Sequence, residues 1–450
     1  MSEKYVELTE QPVEKLVCKL AFPTIISMLI TSFYNMADTF FVGKINTSAT
    51  GAVGIVFTLM AVIQACGFFF GHGSGNYISR QLGRQNKEEA SRMASIGFFS
   101  SLLFGIAFMM IGLLFLKPLA VALGSTQTIL PYAMDYLKLI LIGAPYMTAS
   151  LVLNNQLRFQ GNAMYAMIGI LTGAVLNIAL DPLFIFVFKM GIKGAALATI
   201  ISQLVSFCML LYGTHQGENL HIHIQNFKPT PAYYLEICRG GAPSLLRQGL
   251  ASVAGICLNF SAGVYGDVAI AAMSITNRVM MFAGSALIGF GQGFQPVCGF
   301  NYGAGLYERV KKAFFFCIKS SFFVLIALSV LGGIFAPTVI AVFRKDPEVI
   351  EIGTNALRFQ CLTFPFMGWV VLSNMMLQNI GKVWKASFLA IARQGLFFIP
   401  LILILPRYFG LLGIEMTQPL SDTISFVCSI PLQLGVLRKM SSDAAPKRTS

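Results

Sequence analysis

Twelve apolar runs of membrane-spanning length follow one another along this chain, at roughly 16–42, 49–77, 93–116, 129–153, 163–188, 192–213, 236–262, 268–298, 313–343, 349–373, 384–405 and 411–437. About 20 residues at 1.5 Å rise cross a bilayer core, so each run predicts one transmembrane helix. Short polar or punctuated segments separate them, such as GRQNKEEASR (83–92) and PRYFG (406–410). Only THQGENLHIHIQNFKPTPAYY (214–234) is longer, and it falls at the midpoint. The pattern reads as a polar N-terminal segment (1–15), a six-helix lobe (16–213), a linker (214–235), a second six-helix lobe (236–437) and a tail (438–450).

The two lobes repeat one another. A gapless shift of 220 positions superimposes Pro23 on Pro243, Gly71 on Gly291, Gly73 on Gly293, Gly83 on Gly303, Pro145 on Pro365, Asn154 on Asn374 and Gly161 on Gly381. Glycine and proline fix backbone geometry, so it is the architecture that is duplicated. Six spans is an even number, which makes the halves parallel repeats related by an axis along the membrane normal, around a central cavity. The expected fold is therefore an all-α integral membrane protein of twelve transmembrane helices. Repeats of this kind favour a secondary transporter, although channels and membrane enzymes also contain them.

Composition agrees with the pattern. Of 450 residues, 56% are hydrophobic and 11% charged, far below the roughly 25% charged residues of a soluble domain. The opening MSEKYVELTEQPVEK has no basic n-region and no small-residue cleavage site, so no signal peptide is expected. Nine cysteines without a CxxC pair read as small core hydrophobes. The net charge of +13 could suggest a nucleic-acid partner, but the cations are concentrated in the loops of one face. With the N-terminus inside, that face holds Lys4, Lys15, Arg80, Arg84, Lys87, Arg92, Arg158, Lys382, Lys385, Lys447 and Arg448 among others, whereas the outer loops hold few, such as Lys44, Lys117 and Arg344. Both termini are thus expected in the cytoplasm, with the bilayer rather than nucleic acid as the partner.

Against this background, carboxylates inside spans stand out, because each costs roughly 2.5–3.5 kcal/mol at mid-membrane. The first span carries Asp38 within a turn or so of its outer end, with Tyr34 one turn before it. The fifth carries Asn177 and Asp181 four residues apart, on one helix face. The sixth runs inward and puts Thr199 about two turns below the outer surface. These groups share one depth in the outer half of the first lobe. Two close buried carboxylates do not both ionise cheaply, which suits proton exchange; with the Asn177 amide and Thr199 hydroxyl they could instead hold sodium. The plainer alternative is a structural polar network. Under the 220-residue shift Asp38, Asn177 and Asp181 become Leu258, Phe397 and Leu401, so coupling is expected in the first lobe alone. Pro23 in the first span predicts a local bend.

Other features read as bland. Glu415 and Asp422 at the start of the twelfth span could form a second acid site, but their closeness to the outer interface favours solvation. Arg247, Arg278 and Arg393 could snorkel, pair or meet an anionic substrate. His215, His221 and His223 form a solvated loop rather than a metal site. Abundant methionine and phenylalanine would give deformable walls for varied ligands.

GHGSGN to GRQNKE (71–88), LRFQGNAMYA (157–166) and above all QPVCGFNYGAG (295–305) resemble strings of the multidrug and toxic compound extrusion (MATE) antiporters, over essentially the whole chain. The resemblance is to the DinF-like branch that couples through its N-terminal lobe. It implies cation coupling at Asp38, Asn177, Asp181 and Thr199, substrate or network roles for Tyr34 and Asn154, and a hinge at Pro23. The expected protein is a monomeric inner-membrane exporter of amphipathic, often cationic compounds, exchanging them for H+ or Na+ without any cofactor. A flippase for lipid-linked precursors is the rival if arginines line the cavity. A membrane enzyme is the rival of another class.

Overall fold

The computed structural model describes residues 3–444; Lys447 and Arg448, counted above on the inner face, lie outside them. The first half comprises α1 (Glu3–Glu10), α2 (Val13–Gly43), α3 (Thr47–Gly83), α4 (Lys87–Leu114), the short α5 (Leu116–Ala122), α6 (Leu130–Phe159), α7 (Ala163–Pro182) and α8 (Ile192–Thr214). The second comprises α9 (Pro231–Gly263), α10 (Asp267–Gly303), α11 (Tyr307–Ile334), the short α12 (Ala336–Phe343), α13 (Pro347–Asn379), α14 (Val383–Ile391), α15 (Phe398–Phe409) and α16 (Leu411–Ala444). A π-helical turn, Ala392–Phe397, joins α14 and α15 into one span. Eleven segments are long and apolar enough to cross a bilayer among the described residues. The twelfth span is α9, 33 residues long, whose average is lowered by Glu236, Arg239 and Arg247.

The helices overrun the apolar runs because their ends are capped by polar residues. Asn46 accepts from the Ala49 amide at 2.7 Å and Asn86 from that of Glu89 at 3.2 Å, starting α3 and α4. Gly161 and Gly381, with φ of +81° and +79°, turn the chain at the same place in each repeat. The segment 406–410, expected as a loop, is mostly helical: α15 continues to Phe409 and stops at Gly410, whose φ is +61°.

The lobes meet with reciprocal symmetry, α2 packing on α10 and α3 on α9. The seam is backbone against backbone. A Cβ on Gly83 would collide with the Phe300 carbonyl, and one on Gly303 with the Arg80 carbonyl; Gly73 lies on Ile237 and Gly293 on Ala21. Two of the glycine pairs that matched under the 220-residue shift, Gly73 with Gly293 and Gly83 with Gly303, are therefore those that let the lobes close, whereas Gly71 and Gly291 pack on Asn155 and Met375 within their own lobes. Described hydrogen bonds between lobes extend from the face bearing the termini to the Ser32–Ser285 hydroxyl pair at 2.7 Å, somewhat past the middle of α2. One turn further on the same faces, Met36 and Met281 are exposed, so the lobes part toward the opposite side.

No sequence signal announced α1, which lies across the seam on the face of the termini. Lys4 Nζ donates to Asn162 Oδ1 of the first lobe at 2.9 Å, and Asn301 Nδ2 of the second donates to the Leu8 carbonyl at 3.0 Å. Leu8 is buried with Val310, Phe314 and other residues of the second lobe.

Candidate functional site

Four helices of the first lobe bring the polar groups together. On α2, Tyr34 and Asp38 are one turn apart on one face; on α7, Asn177 and Asp181 are likewise. Asn177, Asp181 and Thr199 are buried and Asp38 is half-buried. The Asp38 and Asp181 carboxyls stand within hydrogen-bonding reach, while Asp38 Oδ1 has no partner. Asn177 Nδ2 lies 3.5 Å from Asp181 Oδ1. With the Asn177 amide turned over, its nitrogen donates to Asp181 Oδ2 at 3.1 Å and its oxygen accepts the Thr199 amide at 3.3 Å, which ties α7 to α8.

Two groups join that the sequence did not reveal. Tyr136, buried on α6, reaches Thr199, and Gln203 on α8 reaches the Tyr34 hydroxyl. Tyr136 sits in LPYAMDYLKLI, where a tyrosine near a span end reads as an interfacial anchor. Gln203 lies four residues after Thr199, so helical spacing alone could have found it.

The chemistry follows from charge. Two unit charges about 4 Å apart at an effective dielectric of about 20 repel by about 4 kcal/mol, so the facing carboxylates require a shared proton or a bound cation. The unpaired Asp38 oxygen is a ready acceptor for either. Asp181 precedes Pro182 and a π-helical turn, Leu183–Val187, so α7 is irregular directly beyond the carboxylate.

Next to this cluster lies a cavity of about 120 Å³ lined by residues of the first lobe. Tyr34, Asn35, Asn177 and Gln203 give it a polar side, and Phe57, Met60 and Met147 an apolar one. Asn154 also borders it, but its amide donates to the Ala166 carbonyl at 3.0 Å, just as Asn374 donates to Ala386 at 2.7 Å in the second lobe. That bond belongs to the duplicated scaffold. Pro23 lies inside an unbroken α2 at the seam, where the Thr24 hydroxyl is 2.6 Å from the Gly289 carbonyl. Its ring removes the donor that the Lys19 carbonyl would otherwise have.

The second lobe replaces this site with an apolar core. Leu258 packs with Phe398 and Ile402 rather than with Phe397 and Leu401, because the π-helical turn before them adds one residue to the repeat. One expectation for this lobe is corrected. Glu415 and Asp422 are buried, not solvated: α16 packs against α13 and α15 there, and Asp422 accepts from Arg393 Nε at 2.7 Å. Arg247 is held by Asn374 Oδ1 at 3.0 Å. In the linker the His215 and His221 rings meet at a tilt of 55°, and no group suited to a metal occurs among the described residues.

A second polar centre joins the lobes. Arg158, fully buried on α6, donates to Gln292 Oε1 at 2.6 Å across the seam and to Asn155 Oδ1 at 2.6 Å. His72 lies 3.3 Å away, and its other ring nitrogen is 2.7 Å from the Ser244 hydroxyl. Arg158 was counted only as a loop cation, since its distance from the span end hid its burial.

A model of the MatE family matches residues 23–183 and again 243–404. The chain is 28% identical over 448 residues to the multidrug export protein MepA of Staphylococcus haemolyticus (strain JCSC1435), covering 98% of both chains. A solved outward-facing MATE transporter of the MOP superfamily superimposes with a TM-score of 0.93 at 26% identity, over 98% of this chain and all of that one. A crystal structure of a MATE protein in the bent conformation gives 0.91 at 25% identity, over 99% and 100%.

Proposed function

This chain belongs to the MatE family, a multidrug export transporter and not an enzyme, and we propose that it drives export by exchanging drugs for a proton or sodium ion at Asp38 and Asp181. The observation that carries the reading is the facing pair of carboxylates on α2 and α7, beside a cavity and without any counterpart in the other lobe. Asn177 and Thr199 orient Asp181, and Tyr34 connects the pair to the cavity wall. Occupying the site with a cation removes the repulsion between the carboxylates and lets α2 draw toward α7; emptying it releases α2, with Pro23 as the weak point of the helix. Solved MATE relatives at 25% identity are known in a straight and in a bent conformation, so this architecture takes more than one shape.

The lysine and arginine distribution supports an orientation with the termini in the cytoplasm and the parted side facing outward. A proton moving inward through about 100 mV and one pH unit supplies roughly 2.3 plus 1.4 kcal/mol, enough for a several-hundredfold gradient of a neutral drug. For a monovalent cationic drug the voltage contributions cancel and the pH gradient alone drives export. The flippase reading is less favoured: no arginine borders the cavity among the described residues, and Arg393 and Arg247 are engaged by Asp422 and Asn374. Drug-driven proton and sodium fluxes in proteoliposomes test the proposal. Undiminished coupled export by Asp38→Asn would overturn it.

A further inference from the structure

A second cavity, about 250 Å³, opens on the face bearing the termini, at the ends of α10 and α16 and the starts of α11 and α14. Lys382, Lys385 and Lys439 enter it from two sides, with Tyr302 and Tyr307 between them. Many cations of this face have an acid: Lys19 with Glu7, Arg80 and Arg239 with Glu236, Arg92 with Glu88, Lys311 with Glu308 and Lys312 with Glu14. The three lysines of the cavity have no ion pair among the described residues. Trp384, between two of them in the chain, is 89% exposed, the placement of an indole anchored at a membrane interface.

The repeat shows what this place becomes when it is filled. Under the 220-residue shift Lys382 corresponds to Asn162, Lys385 to Tyr165 and Tyr302 to Leu82, in a turn of the same geometry. In the first lobe α8 ends at Thr214 and the chain then folds back over that position. Asn162 bonds to Asn219, the Leu220 amide donates to Gln160 Oε1 at 2.7 Å, and Lys4 of α1 closes the edge on Asn162. In the second lobe α16 continues as a helix and nothing described folds back. One cleft is plugged by the chain itself, and its partner is open, basic and at headgroup depth.

We propose that this open cleft binds the phosphate of an anionic phospholipid headgroup, held by Lys382, Lys385 and Lys439, with Trp384 packing against the acyl region. The site is separate from the coupling pair, and its occupancy does not depend on which cation is exchanged. A phosphodiester carries one negative charge and acceptor oxygens that suit three ammonium groups, and basic pockets between spans at the headgroup level are suited to such lipids.

The test uses the full chain with Trp369→Phe, which leaves Trp384 as the reporter, in phosphatidylcholine vesicles containing brominated phosphatidylglycerol or brominated phosphatidylcholine. Half-maximal quenching is expected at a mole fraction about tenfold or more lower for the anionic lipid. The preference should vanish in Lys382→Gln/Lys385→Gln/Lys439→Gln and return in the triple arginine variant, which checks that the fold survives. Equal quenching by both lipids in the unmodified lysine background would overturn the proposal. So would displacement of the anionic lipid by millimolar inorganic phosphate, which would mark a site for free anions.

Discussion

Arg158 reaches across the seam to Gln292, Nη1 to Oε1 at 2.6 Å, so a fully buried cation of the first lobe is held by a neutral amide of the second. The shift of 220 that aligns the lobes pairs Gln292 with His72 and Arg158 with Gln378, and all four surround the same junction. Gln378 donates to the Ser244 hydroxyl at 2.8 Å, the group that also meets His72. Removing the guanidinium strands Gln292 Oε1 and Asn155 Oδ1 in a dry interface. Arg158→Ala should therefore lower stability by about 3–6 kcal/mol, given about 1.5–3 kcal/mol for each of the two hydrogen bonds to the charged group. Denaturation of the purified protein in detergent would show it, and an unchanged midpoint would contradict the role assigned to this residue.

Neutralising either carboxylate removes the repulsion that a cation must relieve. Asp38→Asn and Asp181→Asn should each reduce coupled export about a hundredfold or more while leaving helix content unchanged, since loss of about 2.7 kcal/mol is a factor of 100. Proton and sodium fluxes in proteoliposomes, read beside circular dichroism, separate loss of coupling from loss of fold.

Tyr136 meets the site at Thr199. Tyr136→Phe should weaken cation dependence by about fivefold to tenfold, as expected for one lost hydrogen bond of about 1–1.4 kcal/mol, with little change in the drug concentration giving half-maximal transport. Equal effects on drug and cation would show that the tyrosine serves packing instead.

The second lobe offers a reciprocal experiment. Leu258 is buried against Phe398 and Ile402, so Leu258→Asp places an unpaired acid in an apolar core. It should destabilise the protein by several kcal/mol without creating a coupling site. Rescue of an Asp38→Asn background by this change would disprove the asymmetry between the lobes.

Pro23→Ala restores a helix donor to the Lys19 carbonyl and stiffens α2 at the seam. Export should fall about tenfold or more, while insertion and drug binding persist, because only the change of helix shape is hindered. Full activity of the variant would remove Pro23 from the mechanism.

Much of this arrangement could be counted along the chain. Rise per residue fixes depth, so Asp38, Asp181 and Thr199 could be placed at one level from span direction alone. The rotation of each helix about its axis cannot be counted in the same way, because it is set by packing against neighbours. That is why Tyr136 and the interlobe contacts of Arg158 were not legible, and why Glu415 and Asp422 were expected in water although they are buried. The π-helical turn at Ala392–Phe397 inserts a residue without interrupting the apolar run, so a gapless repeat could not reveal that Ile402 replaces Leu401. The glycines of the repeat were visible, but their purpose was not until Gly83 and Gly303 proved to face each other's neighbours across the seam.

That seam determines how the molecule can come apart. Interlocked side chains must be withdrawn from their holes before two helices can separate, which raises a barrier and leaves voids behind. At Gly73, Gly83, Gly293 and Gly303 there is nothing to withdraw, and the two surfaces can peel from one another like flat plates. Besides the apolar packing of Leu16, Val17 and Leu20 on Val297 and Phe300, and of Ile237 on Ile78 and Met93, opening this side must break discrete polar links, among them Arg158–Gln292 and the α1 strap, and these are points at which the speed of alternation can be tuned residue by residue.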